Sequence, residues 1–297
     1  MSTVKVILDL SEDKAHFRYI LPGFSLQDVD LLQLDPYLKT WRIANMMYLC
    51  IEVAKRNGFG DFWYKASDQT YEHTHMLFVK AISLNRLADL QDLEKFCSSP
   101  YQNDISVDCR ISNIGNSSLQ VNGSLSVLDT NKTLFNTTII GVSVDRKTRK
   151  VAPHPVWWVE KYGTAARRRA ADKVHLEIET EYNREWLVTQ SALVIQPEQL
   201  DFNGHASNAH FSDFALNILL KAQTEGKLSW TRRQIEHNIK YMVSSFLNPC
   251  LLNDRLDIAL YKDPEILGKF YITFHKGTIP AYVQMFEYGE LNPTRRH

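Results

Sequence analysis

The sequence predicts an α+β protein of two tandem lobes, each a long helix wrapped by an antiparallel sheet. Apolar residues recur at three- and four-residue spacing in two separate stretches, Tyr37 to Arg56 and Asn208 to Ala222, and this is the period of a buried helical face. Behind each stretch come runs of alternating apolar and polar residues divided by Asn, Asp, Gly and Pro, the pattern of half-buried strands in a meander. A chain of 297 residues, 44% of them hydrophobic, is long enough for about two domains with cores of ordinary size.

The first lobe, residues 12–150, is expected to open with a strand at His16–Leu21, followed by a loop through Pro22-Gly23. Its helix sets Trp41, Ala44, Met47, Tyr48, Ile51 and Ala54 on one face, and Asn57-Gly58 stops it because glycine accepts left-handed backbone. Strands follow at about His75–Asn85, Ile105–Asn113, Ser117–Leu128 and Leu134–Val144. Residues 151–173 continue a basic run that begins at Arg146. Lys147, Arg149, Lys150, Lys161, Arg167, Arg168 and Arg169 outnumber the acids there, with Pro153, Pro155, Trp157 and Trp158 between them, so the stretch reads as a solvated inter-lobe linker.

The second lobe, 174–290, begins with strands near Val174–Tyr182 and Leu187–Ile195, then the helix from Asn208, closed by Gly226. Ile235, Ile239, Leu256, Ile258, Leu260, Phe270, Ile272, Phe274 and Tyr282 to Phe286 give the meander, with turns at 252–254, 262–264 and 275–277. An acidic loop before an apolar helix thus occurs twice. The first copy has only Asp30 and Asp35, with no Gly-His and no paired asparagines, so the first lobe is expected to be degenerate and to shape the substrate site.

The densest chemistry lies in Leu200-Asp201-Phe202-Asn203-Gly204-His205-Ala206-Ser207-Asn208, where a carboxylate, an amide and an imidazole precede a helix start. Unpaired N–H groups near Gly204 and His205 would face this site and could hold a carbonyl oxygen as it becomes negative. A carboxylate and an imidazole beside such donors suit hydrolysis of an activated acyl group. Asp201 and Asn203 also suit helix entry and His205 a plain surface position, but their concentration within nine residues favours a site.

Composition narrows the remaining classes. The formal net charge is +0, so no overall field draws the protein to nucleic acid or an acidic membrane. Cys50, Cys97, Cys109 and Cys250 have neither zinc-site nor disulfide-framework spacing and read as free thiols. His73 and His75 have no third ligand in sight and make a poor metal site. The start of the chain lacks a basic, apolar secretory leader and no run reaches the roughly 20 apolar residues of a membrane span, so a cytoplasmic protein is expected. Four Asn-x-Ser/Thr matches, at Asn116, Asn122, Asn131 and Asn136, then read as polar strand and turn residues.

Asp-x-x-Gly-His-x-x-Asn running into a long apolar helix resembles the signature of hotdog-fold thioesterases. Asp201-x-Asn203-x-His205 is more similar still to the acyl-acyl carrier protein thioesterases of plants and bacteria, which carry two hotdog lobes in tandem with the catalytic residues in the second. The resemblance implies a double hotdog acting as a thioesterase on fatty or related acyl thioesters of coenzyme A or acyl carrier protein, without metal or organic cofactor. It implies Asp201, Asn203 and His205 as catalytic residues, with Gly204 and Asn208 as substrate-binding residues, while Met46, Met47 and Ile51 of the first-lobe helix are candidates to line an acyl pocket or, equally, plain core. It is compatible with a homodimer of such chains, and it offers the basic run as a landing surface for coenzyme A phosphates or an acidic carrier. Two departures stand out: Ala206-Ser207 replaces a β-branched residue and asparagine, and Ser244 falls where the plant enzymes are assigned a further catalytic carboxylate. The alternatives are a non-catalytic acyl-thioester-binding protein and a hotdog hydratase or dehydratase.

Overall fold

A computed structural model describes residues 7–24, 40–62, 74–93, 103–168, 174–201 and 204–289. The chain divides into two compact units, one formed by Met1–Leu38 with Ile43–Leu176 and the other by Lys39–Arg42 with Glu177–His297.

The first unit contains strands β1 (Ile7–Leu10), β2 (His16–Phe24), β3 (His75–Arg86), β4 (Asn103–Ile114), β5 (Ser118–Val127) and β6 (Lys132–Asp145). They pair antiparallel in the order β1-β2-β4-β5-β6-β3. β1 is an addition to the sequence reading. β2 runs on through Pro22-Gly23, where a loop was expected, with a register shift between Leu21 and Phe24 that accommodates a residue with no N–H to donate. Helix α1 (Thr40–Arg56) buries Ile43, Ala44, Met47, Ile51 and Ala54, each at 6% exposure or less, as its spacing requires. A side chain at Gly123 of β5 would put its Cβ 2.8 Å from Cys109 Sγ and 3.0 Å from Met47 Cε, so bare backbone is what lets Met47 rest there. Two of the Asn-x-Ser/Thr matches lie within β5 and β6, where Asn122 Oδ1 accepts from Gln120 Nε2 at 3.1 Å and from Thr138 Oγ1 at 3.3 Å.

The basic stretch expected as a linker contains helix α2 (Val156–Arg168). Trp158 and Tyr162 are 0% exposed within the first unit, and burial of two large aromatic residues there is worth more than a solvated path. Trp158 Nε1 donates to Gly60 O at 2.7 Å, and Tyr162 OH donates to Asp61 Oδ2 at 2.8 Å. Asp61 also accepts from Lys14 Nζ at 2.8 Å and from Lys161. One buried carboxylate therefore joins the β1–β2 hairpin, the turn after α1, and α2. The side chains of Arg167 and Arg168, and all of Arg169, lie outside the described residues, as do Asp30, Asp35 and His73.

The second unit contains β7 (Leu187–Val194), β8 (Ile239–Phe246), β9 (Arg255–Lys262), β10 (Lys269–Lys276) and β11 (Ile279–Tyr288), paired antiparallel in the order β8-β11-β10-β9-β7. Helix α3 (Asn208–Thr224) buries Phe211, Ala215, Ile218, Leu219 and Ala222. Phe211 stacks on Tyr282 with ring centroids 4.4 Å apart and meets Phe274 edge-on at 5.6 Å. Gly226, at φ 72, closes the helix as expected. Two expectations fail here. Residues 174–182 form no strand although Leu176 is buried and its neighbours are exposed, because alternation marks a buried face without supplying a ladder partner. Ile235, expected in the meander, sits in the short helix α4 (Arg232–His237), which a Thr231–Gln234 capping box starts. No described helix is long and apolar enough to cross a membrane.

Candidate functional site

The Asp201–Asn208 segment is a tight turn feeding α3, with Phe202 and Asn203 outside the described residues. Gly204 N–H donates to Asp201 O at 3.0 Å, and Gly204 takes φ 76, a backbone that costs other residues roughly 1 kcal/mol or more. That reversal brings the chain back so that His205 N–H donates to Asp201 Oδ1 at 3.1 Å while Asp201 N–H donates to His205 O at 2.7 Å. The turn is docked by isolated bridges from Leu200 to Ala206 and from His205 to Leu251, and by Ala206 N–H on Cys250 O at 2.8 Å. Asp201 and His205 are therefore held as neighbours, both partly exposed.

The N–H groups of Gly204 and His205, expected to face substrate, are engaged inside the turn. A reversal this tight brings its own carbonyl and carboxylate within reach first. The helix begins only at Asn208, with His210 N–H already on Ser207 O at 3.0 Å. Among the described residues the Asn208 N–H has no acceptor, as the first N–H groups of a helix lack intrahelical partners. Gly204 thus serves as a turn residue, and Asn208 brings an N–H and a carboxamide to the helix start.

Ser244 is 3% exposed and belongs to a polar group that the sequence reading missed. Tyr282 OH donates to Ser244 Oγ at 2.9 Å, and Gln284 Nε2 lies 3.2 Å from both Ser244 Oγ and Ser212 Oγ. Burial pushes the Tyr282 hydroxyl far above its ordinary pKa, so it remains a donor. The available signal was a glutamine and a tyrosine two apart on an otherwise apolar strand face.

Met46, Met47 and Ile51 belong to the first unit. Met46 is partly exposed and Met47 is core at 0%. Ile51 lines a small cleft of ≈ 20 Å³, roughly the room of a water or two, with Tyr48, Phe59, Phe62, Leu77 and Val121 among its other walls. Lys55, at the same cleft, pairs with Glu52 at 2.9 Å and lies 5.5 Å from the centroid of the Phe62 ring. Cys50, Cys109 and Cys250 are free, and among the described residues no group of three or more His, Cys, Asp and Glu could hold a metal ion.

No family profile and no curated protein matches the sequence. Solved structures do match the fold. The 12:0-ACP thioesterase from Umbellularia californica superposes with a TM-score of 0.68 at 15% identity, covering 95% of this chain and 99% of that one. An acyl-ACP thioesterase from Bacteroides thetaiotaomicron gives 0.66 at 13%, covering 94% and 100%. Full-length peroxisomal multifunctional enzyme type 2 from Drosophila melanogaster gives 0.52 at 8%, covering 93% of this chain and 48% of that one. The fold is the double hotdog, with a helix and an antiparallel sheet in each lobe.

Proposed function

We propose that this protein hydrolyses thioesters of fatty or related acyl groups carried by coenzyme A or acyl carrier protein. The observation that carries the reading is the closed Asp201–His205 turn at the head of α3, in a chain that is similar along nearly its whole length to acyl-carrier-protein thioesterases. Asp201 takes a proton from water as the water oxygen bonds to the thioester carbonyl carbon; in the nucleophilic variant its carboxylate bonds to that carbon instead, and loss of the thiolate leaves a mixed anhydride that water then hydrolyses to release the acid and regenerate Asp201. Collapse of the tetrahedral adduct breaks the C–S bond, and the departing thiolate takes up a proton shuttled by His205. The products are a free acid and a thiol. Asn203 orients the carboxylate or the substrate, and the Asn208 N–H takes over the oxyanion role that Gly204 and His205 cannot fill.

In the first lobe Met47 is packed in the core, and Ile51, at a cleft with the room of a water or two, is with Met46 the candidate for acyl contact. The exposed Arg146, Lys147, Arg149 and Lys150 are the contact for an anionic carrier, cytoplasmic in this reading. A second reading, a binding protein without turnover, draws on the burial of Ser244 and on the engaged N–H groups of the turn. Thiol release from a panel of acyl-coenzyme A and acyl-carrier-protein thioesters tests the proposal. Hydrolysis supports it, binding without thiol release favours the second reading, and double-bond hydration would replace both with a hydratase.

A further inference from the structure

Gln284 is 0% exposed on a sheet face that is otherwise almost entirely apolar. On β11 it stands opposite Ser244 of β8 and Ile272 of β10, between Tyr282, opposite Phe246 and Phe274, and Phe286, opposite Met242 and Phe270. Its Nε2 donates to Ser212 Oγ and Ser244 Oγ, both at 3.2 Å, while its Oε1 is buried with no partner. Turning the amide over moves the deficit to the nitrogen, because the same two hydroxyls serve only one end of the carboxamide. A leucine of similar volume would avoid that desolvation cost, so stability alone does not account for a glutamine here.

What the carboxamide joins gives it a role. Ser212 lies one helical turn after Asn208, on the helix that leaves the Asp201–Ser207 turn. Ser244 lies on β8, whose chain continues to Cys250 and Leu251, the residues that dock Ala206 and His205. The turn is thus held from two sides, and Gln284 bonds to both supports. We propose that Gln284, through Ser212 and Ser244, is a positioning residue that fixes the Asp201–His205 pair in its reactive arrangement. In catalysis this rests on the hydrolase reading above; in ordering the turn it does not.

Gln284→Leu and Ser212→Ala test it. Melting temperature, amide hydrogen exchange of residues 200–207, and kcat with KM are read together. Expected for Gln284→Leu are a melting temperature equal to or above wild type, exchange of the His205 amide about tenfold or more faster, and kcat down by roughly tenfold with KM within about twofold. Ser212→Ala should act in the same direction, and the double variant should be no worse than Gln284→Leu, since both break one link. Unchanged exchange at residues 200–207 in both variants overturns the proposal, as does a loss of melting temperature with kcat intact. If wild type hydrolyses no substrate in the panel, the hydrolase reading fails while the exchange measurement still decides whether Gln284 orders the turn. Should Gln284→Leu fail to fold, Ser212→Ala carries the same readouts.

Discussion

Replacing Asp201 by asparagine keeps an oxygen where the His205 N–H donates at 3.1 Å and removes the negative charge. Because asparagine serves as well as aspartate in such local turns, Asp201→Asn should change stability by no more than about 0.5 kcal/mol. Asp201→Ala removes the acceptor as well and should cost about 1–2 kcal/mol, the range of a lost helix cap. Activity should divide differently. In the proposed mechanism both variants lack the group that takes the proton or attacks the carbonyl, so kcat should fall by roughly 10² to 10⁴, or about 3–5 kcal/mol in barrier height, with KM little changed. Thermal melts and thiol release on the best substrate of the panel give both quantities. An Asp201→Asn variant that turns over at close to the wild-type rate would refute the catalytic assignment and leave Asp201 as a turn-closing residue.

Gly123→Ala should destabilise the first unit by about 1–3 kcal/mol, seen as a lower melting temperature, because the added Cβ would lie 2.8 Å from Cys109 Sγ, 2.9 Å from Thr137 Cγ2 and 3.0 Å from Met47 Cε. Trp158→Phe keeps most of the aromatic packing but leaves Gly60 O without its donor at 2.7 Å, and a loss of about 1–3 kcal/mol is expected in denaturant titration. Burial would raise the Asp61 pKa, but hydrogen bonds from Lys14, Lys161 and Tyr162 outweigh it and hold the carboxyl below its usual value. Its folded pKa being depressed, its contribution is complete above the ordinary carboxylate value near 4 and is lost as pH falls through the folded value. Melting temperature should therefore drop on acidification below about pH 4, and Asp61→Asn should flatten that drop; an identical pH profile in the variant would contradict this role.

The sequence alone determined what depends on local period. The faces of α1 and α3 follow from apolar spacing, Gly226 ends its helix for the conformational reason that picked it out, and ten of the eleven described strands lie close to where alternation put them. The turn before α3 stands out as a candidate site because its chemistry is contiguous in the chain. Tertiary structure decided whatever depends on which partner arrives. Alternation at 174–182 found no ladder, while the basic run after Pro155 found a core for Trp158 and Tyr162 and became a helix. Met47 and Ile51 are both buried on one helical stripe, but only Ile51 lines a cleft, while Met47 rests against Gly123. The Gly204 and His205 N–H groups were assigned to Asp201 by the closure of the turn. Gln284 meets Ser212 and Ser244 across 72 and 40 residues of sequence, and such pairings are set by strand register and helix docking, which no local pattern encodes.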